Sequence, residues 1–181
     1  AVWHRGAVDA DGKTGDGAGI HVEIPKDFFI EKIEVTGHDY DNSEICVGMI
    51  FLPRNDYSSQ ESCKTIVESE LTKNNFSIYG WRQVPVNPKI LGEKAFQTMP
   101  EIIQVLFKPN DSNLIDKNLE RKIYETRKKI ENKAFELSLN NFYICSISSK
   151  SIIYKGLYLA EAISDFYLDL KDKRFISRYA I

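Results

Sequence analysis

The sequence has 181 residues, 43% hydrophobic and 12% aromatic, which is enough apolar material to close one compact core. With 24 basic and 26 acidic residues and a formal net charge of −2, no single-sign field builds up, and this argues against a nucleic-acid or membrane-surface binder. No apolar run approaches the about 18 residues of a membrane span, and no basic region followed by an apolar stretch opens the sequence.

The first 19 residues are glycine-rich and polar, and 19–25 then alternates apolar and polar residues as a half-buried strand does. Pro25 suits the first turn of a short helix carrying Phe28, Phe29 and Ile33, which Gly37 and the polar residues 39–43 end. Residues 44–52 read as a second strand closed by Pro53. Ser58 is expected to cap a helix within 56–74 that shows Ile66, Val67 and Leu71 at helical spacing. Residues 76–86 and 101–108 read as further strands of a central sheet. The longest helix is expected over 114–139, with Leu119, Ile123, Ile130, Ala134 and Leu137 as its stripe and the charged run 121–129 as a solvated face. Residues 142–148 and 151–155 read as a hairpin, and Gly156 precedes a helix with Leu159, Ile163 and Phe166 on one side. The last residues, 174–181, alternate like a strand with no turn after it. Together with the start at Ala1, this suggests a piece cut from a longer chain. Helices gathered with partly antiparallel strands give an α+β class.

Five glycines among residues 4–19 need a reason, because glycine permits positive φ and close backbone approach. Gly12-Lys13-Thr14 matches the end of a phosphate loop. However, Ala7 stands where that motif needs glycine, and Asp9, Asp11 and Asp16 would repel phosphate. Gly15 to Gly19 leads into a strand rather than a helix, unlike a dinucleotide fingerprint. Asp9 and Asp11 have the start of a calcium-loop spacing, but Lys13 occupies the next ligand place. His4, His21 and His38 share no metal-ligand spacing, and Trp3 and Trp81 read as packing residues. Cys46, Cys63 and Cys145 form no CxxC pair and read as reduced thiols of a cytoplasmic compartment or plastid stroma.

Residues 4–20, HRGAVDADGKTGDGAGI, resemble the amino-terminal part of glutamate synthase large chains. Further motifs recur in that family's order: Phe51-Leu52-Pro53, Gly80-Trp81-Arg82-x-Val84-Pro85-Val86 and Pro100-x-Ile102-x-Gln104. So do Phe142-Tyr143-Ile144, Ser146-x-Ser148-Ser149, Tyr154-Lys155-Gly156 and Phe166-Tyr167-x-Asp169-Leu170. The resemblance covers essentially all of residues 1–181 and implies part of a type 2 glutamine amidotransferase domain. The implied fold is a four-layer αββα sandwich of the N-terminal-nucleophile (Ntn) hydrolase kind, incomplete at both ends.

The resemblance also implies a chemistry. A mature N-terminal cysteine attacks the carboxamide of L-glutamine, and its own α-amino group activates the thiol. Because the base belongs to the terminal residue, Cys46, Cys63 and Cys145 are poor candidates for the nucleophile. A His-Ser-Arg-Phe-Ser-Thr-Asn-Thr element would bind the glutamine carboxylate, and an Asn-Gly pair would form the oxyanion hole; neither lies in these residues. Arg5 and Gly6 match the His-Arg-Gly element beside the nucleophile, Arg5 positioning its surroundings and Gly6 allowing close backbone approach. The competing reading of this pair is an arginine pinning a loop and a glycine needed for a turn. Asp16 and Gly17 are given no catalytic role. For the parent enzyme the resemblance implies FMN and an iron-sulfur cluster, with no cofactor in this chain. The implied partners are the remaining synthase domains and a small reductase subunit. A non-catalytic binding module that keeps the fold is the alternative.

Overall fold

A computed structural model describes residues 7–181. Its elements in chain order are β1 (Ala18–Glu23), α1 (Lys26–Val35), β2 (Cys46–Leu52), α2 (Tyr57–Lys73), β3 (Phe76–Gln83) and α3 (Glu93–Thr98). Then come β4 (Glu101–Pro109), α4 (Asp116–Glu136), β5 (Tyr143–Ser148), β6 (Ser151–Gly156) and the single turn α5 (Ile163–Phe166).

Strands β3-β4-β2-β5 form one antiparallel sheet, and β1 and β6 form a second, two-stranded one. Both faces of the larger sheet are covered, so β2 and β4 are apolar on alternating sides rather than on one. Ile103, Val105 and Phe107 of β4 pack with Ile66, Val67 and Leu71 of α2 and Leu119, Ile123 and Ile130 of α4. Ile102 and Leu106 face the other way, with Val47 and Met49 of β2, Tyr154 of β6 and Phe28, Phe29 and Ile33 of α1. Among the described residues, a layer of two long helices therefore covers one sheet face, and the β1–β6 ribbon with α1 covers the other. Each large side chain buried in these seams contributes about 1.5–3 kcal/mol.

Several elements depart from the sequence expectation. The cap of α2 is Asp56, whose carboxylate accepts from the Ser59 amide at 3.0 Å and its hydroxyl at 2.6 Å; Ser58 lies inside the helix. In α4 the stripe gains Thr126, whose hydroxyl donates to the Lys122 carbonyl, and loses Leu137, which lies past the last turn and is 63% exposed. The charged face of α4 forms intrahelical pairs, Arg121–Glu125 and Arg127–Glu131.

The expected hairpin of 142–148 with 151–155 does not form. β5 pairs with β2, β6 pairs with β1, and the chain crosses from one sheet to the other at Ser149-Lys150. Side chains replace the missing ladder at this corner. The Ser148 hydroxyl accepts from the Lys150 amide at 2.9 Å, and the Glu120 carboxylate accepts from the Ser148 hydroxyl and from the Ser149 amide and hydroxyl at 2.7–2.9 Å.

After Gly156 the chain makes three short turns, Ala160–Ala162, Ile163–Phe166 and Leu168–Lys171, instead of one helix. Bonds to the 85–87 segment draw it out of helical geometry: Leu168 donates to the Pro85 carbonyl and Asn87 to that of Phe166. The alternating residues 174–181 form no strand. They meet β1 through one backbone bridge, Val22 to Ala180, reciprocal bonds between His21 and Ile181, and side-chain contacts of Ser177 and Arg178 with Glu23.

Candidate functional site

The glycine-rich segment folds as a small hairpin. Val8 bridges to Gly15, Asp9 donates to the Thr14 carbonyl at 2.9 Å, and Asp16 donates to the Ala7 carbonyl at 3.2 Å. Its acidic residues have partners of their own. The Asp11 carboxylate accepts from the Thr14 hydroxyl (2.6 Å), the Thr14 amide (2.7 Å) and the Lys13 amide (2.9 Å). It also lies close against Gly92 at the start of α3, an N-cap with no side chain of its own to offer. Asp9 pairs with Lys94 at 2.5 Å. Two turns of chain far apart in sequence are thus clasped, and neither carboxylate is left over for a cation or set against a phosphate.

These hydrogen bonds, led by that of the Thr14 hydroxyl, hold the Asp11 carboxyl down at about 2. An unfolded aspartate titrates near 3.9, so the clasp contributes fully above about pH 4 and is lost as pH falls through 2. Amide exchange of Asp11–Thr14 is expected to accelerate over that window, and Asp11→Asn to abolish the pH dependence.

Beside the loop lies a cavity of about 640 Å³ between the two sheets. Asp16–Gly19 of the loop and β1 form one wall, and Ala95 and Met99 at α3 form another. The far wall combines Phe51, Ile102, Lys155, Tyr158 and Phe166. The lining is mainly apolar, as ligand sites usually are. Its cation is Lys155, whose ammonium donates to the Tyr143 hydroxyl at 2.7 Å and sits 4.4 Å from that ring's centre. Ala7, the residue after Gly6, is bonded to Asp16 and so brings the chain to the cavity rim. Arg5 and Gly6 themselves lie outside the described residues, as do Trp3 and His4.

Deeper between the sheets is a closed polar ring that sequence reasoning did not single out. Arg82 of β3 makes a bidentate pair with Asp169, both bonds 2.8 Å, and donates to the Gln104 amide oxygen at 2.6 Å. The Gln104 nitrogen donates to the Tyr154 hydroxyl at 3.3 Å, and that hydroxyl donates to Asp169 at 3.1 Å. Burial, and then the Asp169 charge, push the Tyr154 phenol up and keep it a donor. Each of the four belongs to a different motif quoted for the family resemblance, which was the signal available; spacing alone could not join positions 82, 104, 154 and 169.

The two described histidines do not converge. His21 packs edge-on against Tyr179, and His38 lies beside Thr36 and Tyr79. Trp81 donates to Glu68 from the face towards the helices. Among the described residues no group of three or more His, Cys, Asp or Glu side chains could hold a metal ion.

A profile of the glutamine amidotransferases class-II matches residues 1–181. The chain belongs to this family. It is 51% identical over 181 residues to the glutamate synthase [NADPH] large chain of Azospirillum brasilense, covering all of this chain and 12% of that protein. It is 41% identical over 180 residues to ferredoxin-dependent glutamate synthase 1, chloroplastic/mitochondrial, of Arabidopsis thaliana, and 36% identical to the chloroplastic ferredoxin-dependent enzyme of Spinacia oleracea. Both comparisons cover 98% of this chain and 11% of the relative. The chain therefore spans about an eighth of the length of these curated relatives.

In this amidotransferase chain the three thiols are buried. Burial pushes Cys63 and Cys145 up to about 11 and Cys46 well above its ordinary range. At neutral pH such a thiol is ionised to roughly one part in ten thousand, so none is an activated nucleophile. Iodoacetamide is expected to label all three only after unfolding; rapid labelling of native protein would contradict this.

Proposed function

We propose that residues 1–181 are part of the glutaminase domain of a glutamate synthase large chain, which hydrolyses L-glutamine to glutamate and ammonia for transfer to 2-oxoglutarate. The observation that supports this reading is the apolar cavity whose rim is reached by Ala7, the residue that follows the His-Arg-Gly element in the sequence. Arg5 and Gly6 support the nucleophile site there, and the attacking N-terminal cysteine, the carboxylate-binding arginine and the oxyanion hole come from residues outside these 181. In the same reading, the helix–sheet–sheet arrangement described above belongs to a four-layer αββα Ntn sandwich.

FMN and an iron-sulfur cluster supply electron transfer in other domains of the parent, and no residue of this chain is assigned to them. The partners are those domains and a small reductase subunit. The compartment is the cytoplasm or plastid stroma; among the described residues no helix is long and apolar enough to cross a membrane.

The test is a protein extended upstream to a processed N-terminal cysteine and downstream through the arginine and Asn-Gly elements. It is expected to release ammonia from L-glutamine, with turnover lowered by Arg5→Ala. The polypeptide beginning at Ala1 has no α-amino thiol and is expected to release none. A correctly processed extended protein without glutaminase activity would sink the proposal.

A further inference from the structure

We propose that Arg82, Gln104, Tyr154 and Asp169 form a positioning network that holds the closed end of the cavity in the shape glutamine turnover requires. This rests on the reading of that cavity as the glutaminase site. Strand register fixes the relation between the two. Phe51 of β2 lies opposite Ile102 of β4, and both line the cavity. Two residues inward on the same faces, Met49 lies opposite Gln104. On β6, Gly156 lines the cavity and Tyr154 is the equivalent inward step. The ring is therefore the next layer behind the apolar lining.

The ring also holds the wall itself. Asp169 follows Phe166, which lines the cavity, and Tyr167 between them donates from its hydroxyl to the Lys155 carbonyl at 2.8 Å. Displacing Asp169 thus moves Phe166 and loosens Lys155-Gly156 together.

Stability alone does not account for the arrangement. Arg82 and Asp169 side chains are only 12% and 2% exposed, and a buried ion pair is often no better for stability than apolar residues of similar volume. What the pair adds is geometry: a planar fork on a carboxylate fixes both groups in orientation, and the same guanidinium sets which way the Gln104 amide points. These four touch no reacting atom on this reading and act through the wall they hold.

The decisive variant is Arg82→Met/Asp169→Leu in the extended, glutaminase-active protein. Apolar replacement of both partners leaves no buried charge unpaired, so the variant is expected to melt well above Asp169→Ala and below the parent only by what the orphaned Tyr154 hydroxyl and Gln104 oxygen cost, while kcat for glutamine falls by about 10- to 100-fold, the effect of a displacement of about 1 Å at a reacting centre. KM is expected to change far less than kcat. Tyr154→Phe, which keeps the ring and removes the linking hydroxyl, is expected to lower kcat about threefold or more with only a small drop in melting temperature, from the Gln104 amide left without that acceptor. A double variant that melts and turns over like the parent overturns the proposal. If the double variant does not fold, parental kcat in Tyr154→Phe overturns it instead. An extended protein with no glutaminase activity before any substitution overturns the underlying reading and this inference with it.

Discussion

Asp169→Ala is expected to cost the fold about 3–5 kcal/mol, because it leaves the Arg82 guanidinium buried without its counter-charge. The guanidinium cannot easily escape. It lies 5.5 Å from the centre of the Phe28 ring and remains bonded to Gln104, between the sheet and α1. Removing the carboxylate also deprives the Tyr154 hydroxyl of its acceptor in a fully buried site, which adds a second unsatisfied group. Against a typical domain stability of about 5–15 kcal/mol this is a large fraction. The measurement is the urea midpoint, with Glu125→Ala as control. That substitution breaks the exposed Arg121–Glu125 pair on α4, a contact worth only about 0.3–0.5 kcal/mol. Equal midpoint shifts for the two variants would show that the buried pair is no stronger than a surface one.

The contrast between these two pairs tracks what could be read along the chain. Arg121 and Glu125 are four residues apart on one helix, so their pairing follows from spacing alone. Arg82 and Asp169 are joined only by tertiary structure. The same division runs through the fold. Alternation in 19–25, the strand-like apolar run of 44–52 closed by Pro53 and the helical spacing of Ile66, Val67 and Leu71 are local, and β1, β2 and α2 formed where these patterns lie. The corner at Ser149-Lys150 has the look of a hairpin turn because what separates β5 from β6 is Glu120, nearly thirty residues earlier on α4. The three turns after Gly156 are likewise set by the distant carbonyl of Pro85. In the loop, glycine content pointed to a turn or a close backbone approach. That Asp9 and Asp11 pack against α3 depended on Lys94 and Gly92, which no local rule connects to them. Arg5 and Gly6 rest on motif resemblance and on the loop they precede.

That loop makes the second large prediction. Gly15→Ala is expected to destabilise the domain by about 3 kcal/mol, the upper end for overpacking. A Cβ at Gly15 would lie 2.6 Å from the Tyr158 carbonyl oxygen, 2.9 Å from its carbon and 3.3 Å from the Leu159 nitrogen. All three are backbone atoms, so no rotamer change relieves the clash. Either the loop lifts or the 156–159 segment shifts, and that segment is both cavity wall and end of β6. Lifting the loop also pulls Asp11 away from the start of α3 and breaks the Asp9–Lys94 pair, so amide exchange should rise at residues 9–16 and in the first turn of α3 together.

Gly12→Ala is the control. Nothing lies within 4 Å of its Cβ position, and only its φ of +68° makes a side chain unfavourable, a cost of about 1–2 kcal/mol. If Gly15→Ala proves no more harmful than Gly12→Ala, the glycines serve the turn alone. If it is worse and lowers glutaminase turnover in the extended protein, close approach of the loop to Tyr158 is what sets the cavity rim. The described loop then owes its place at the rim to that one contact.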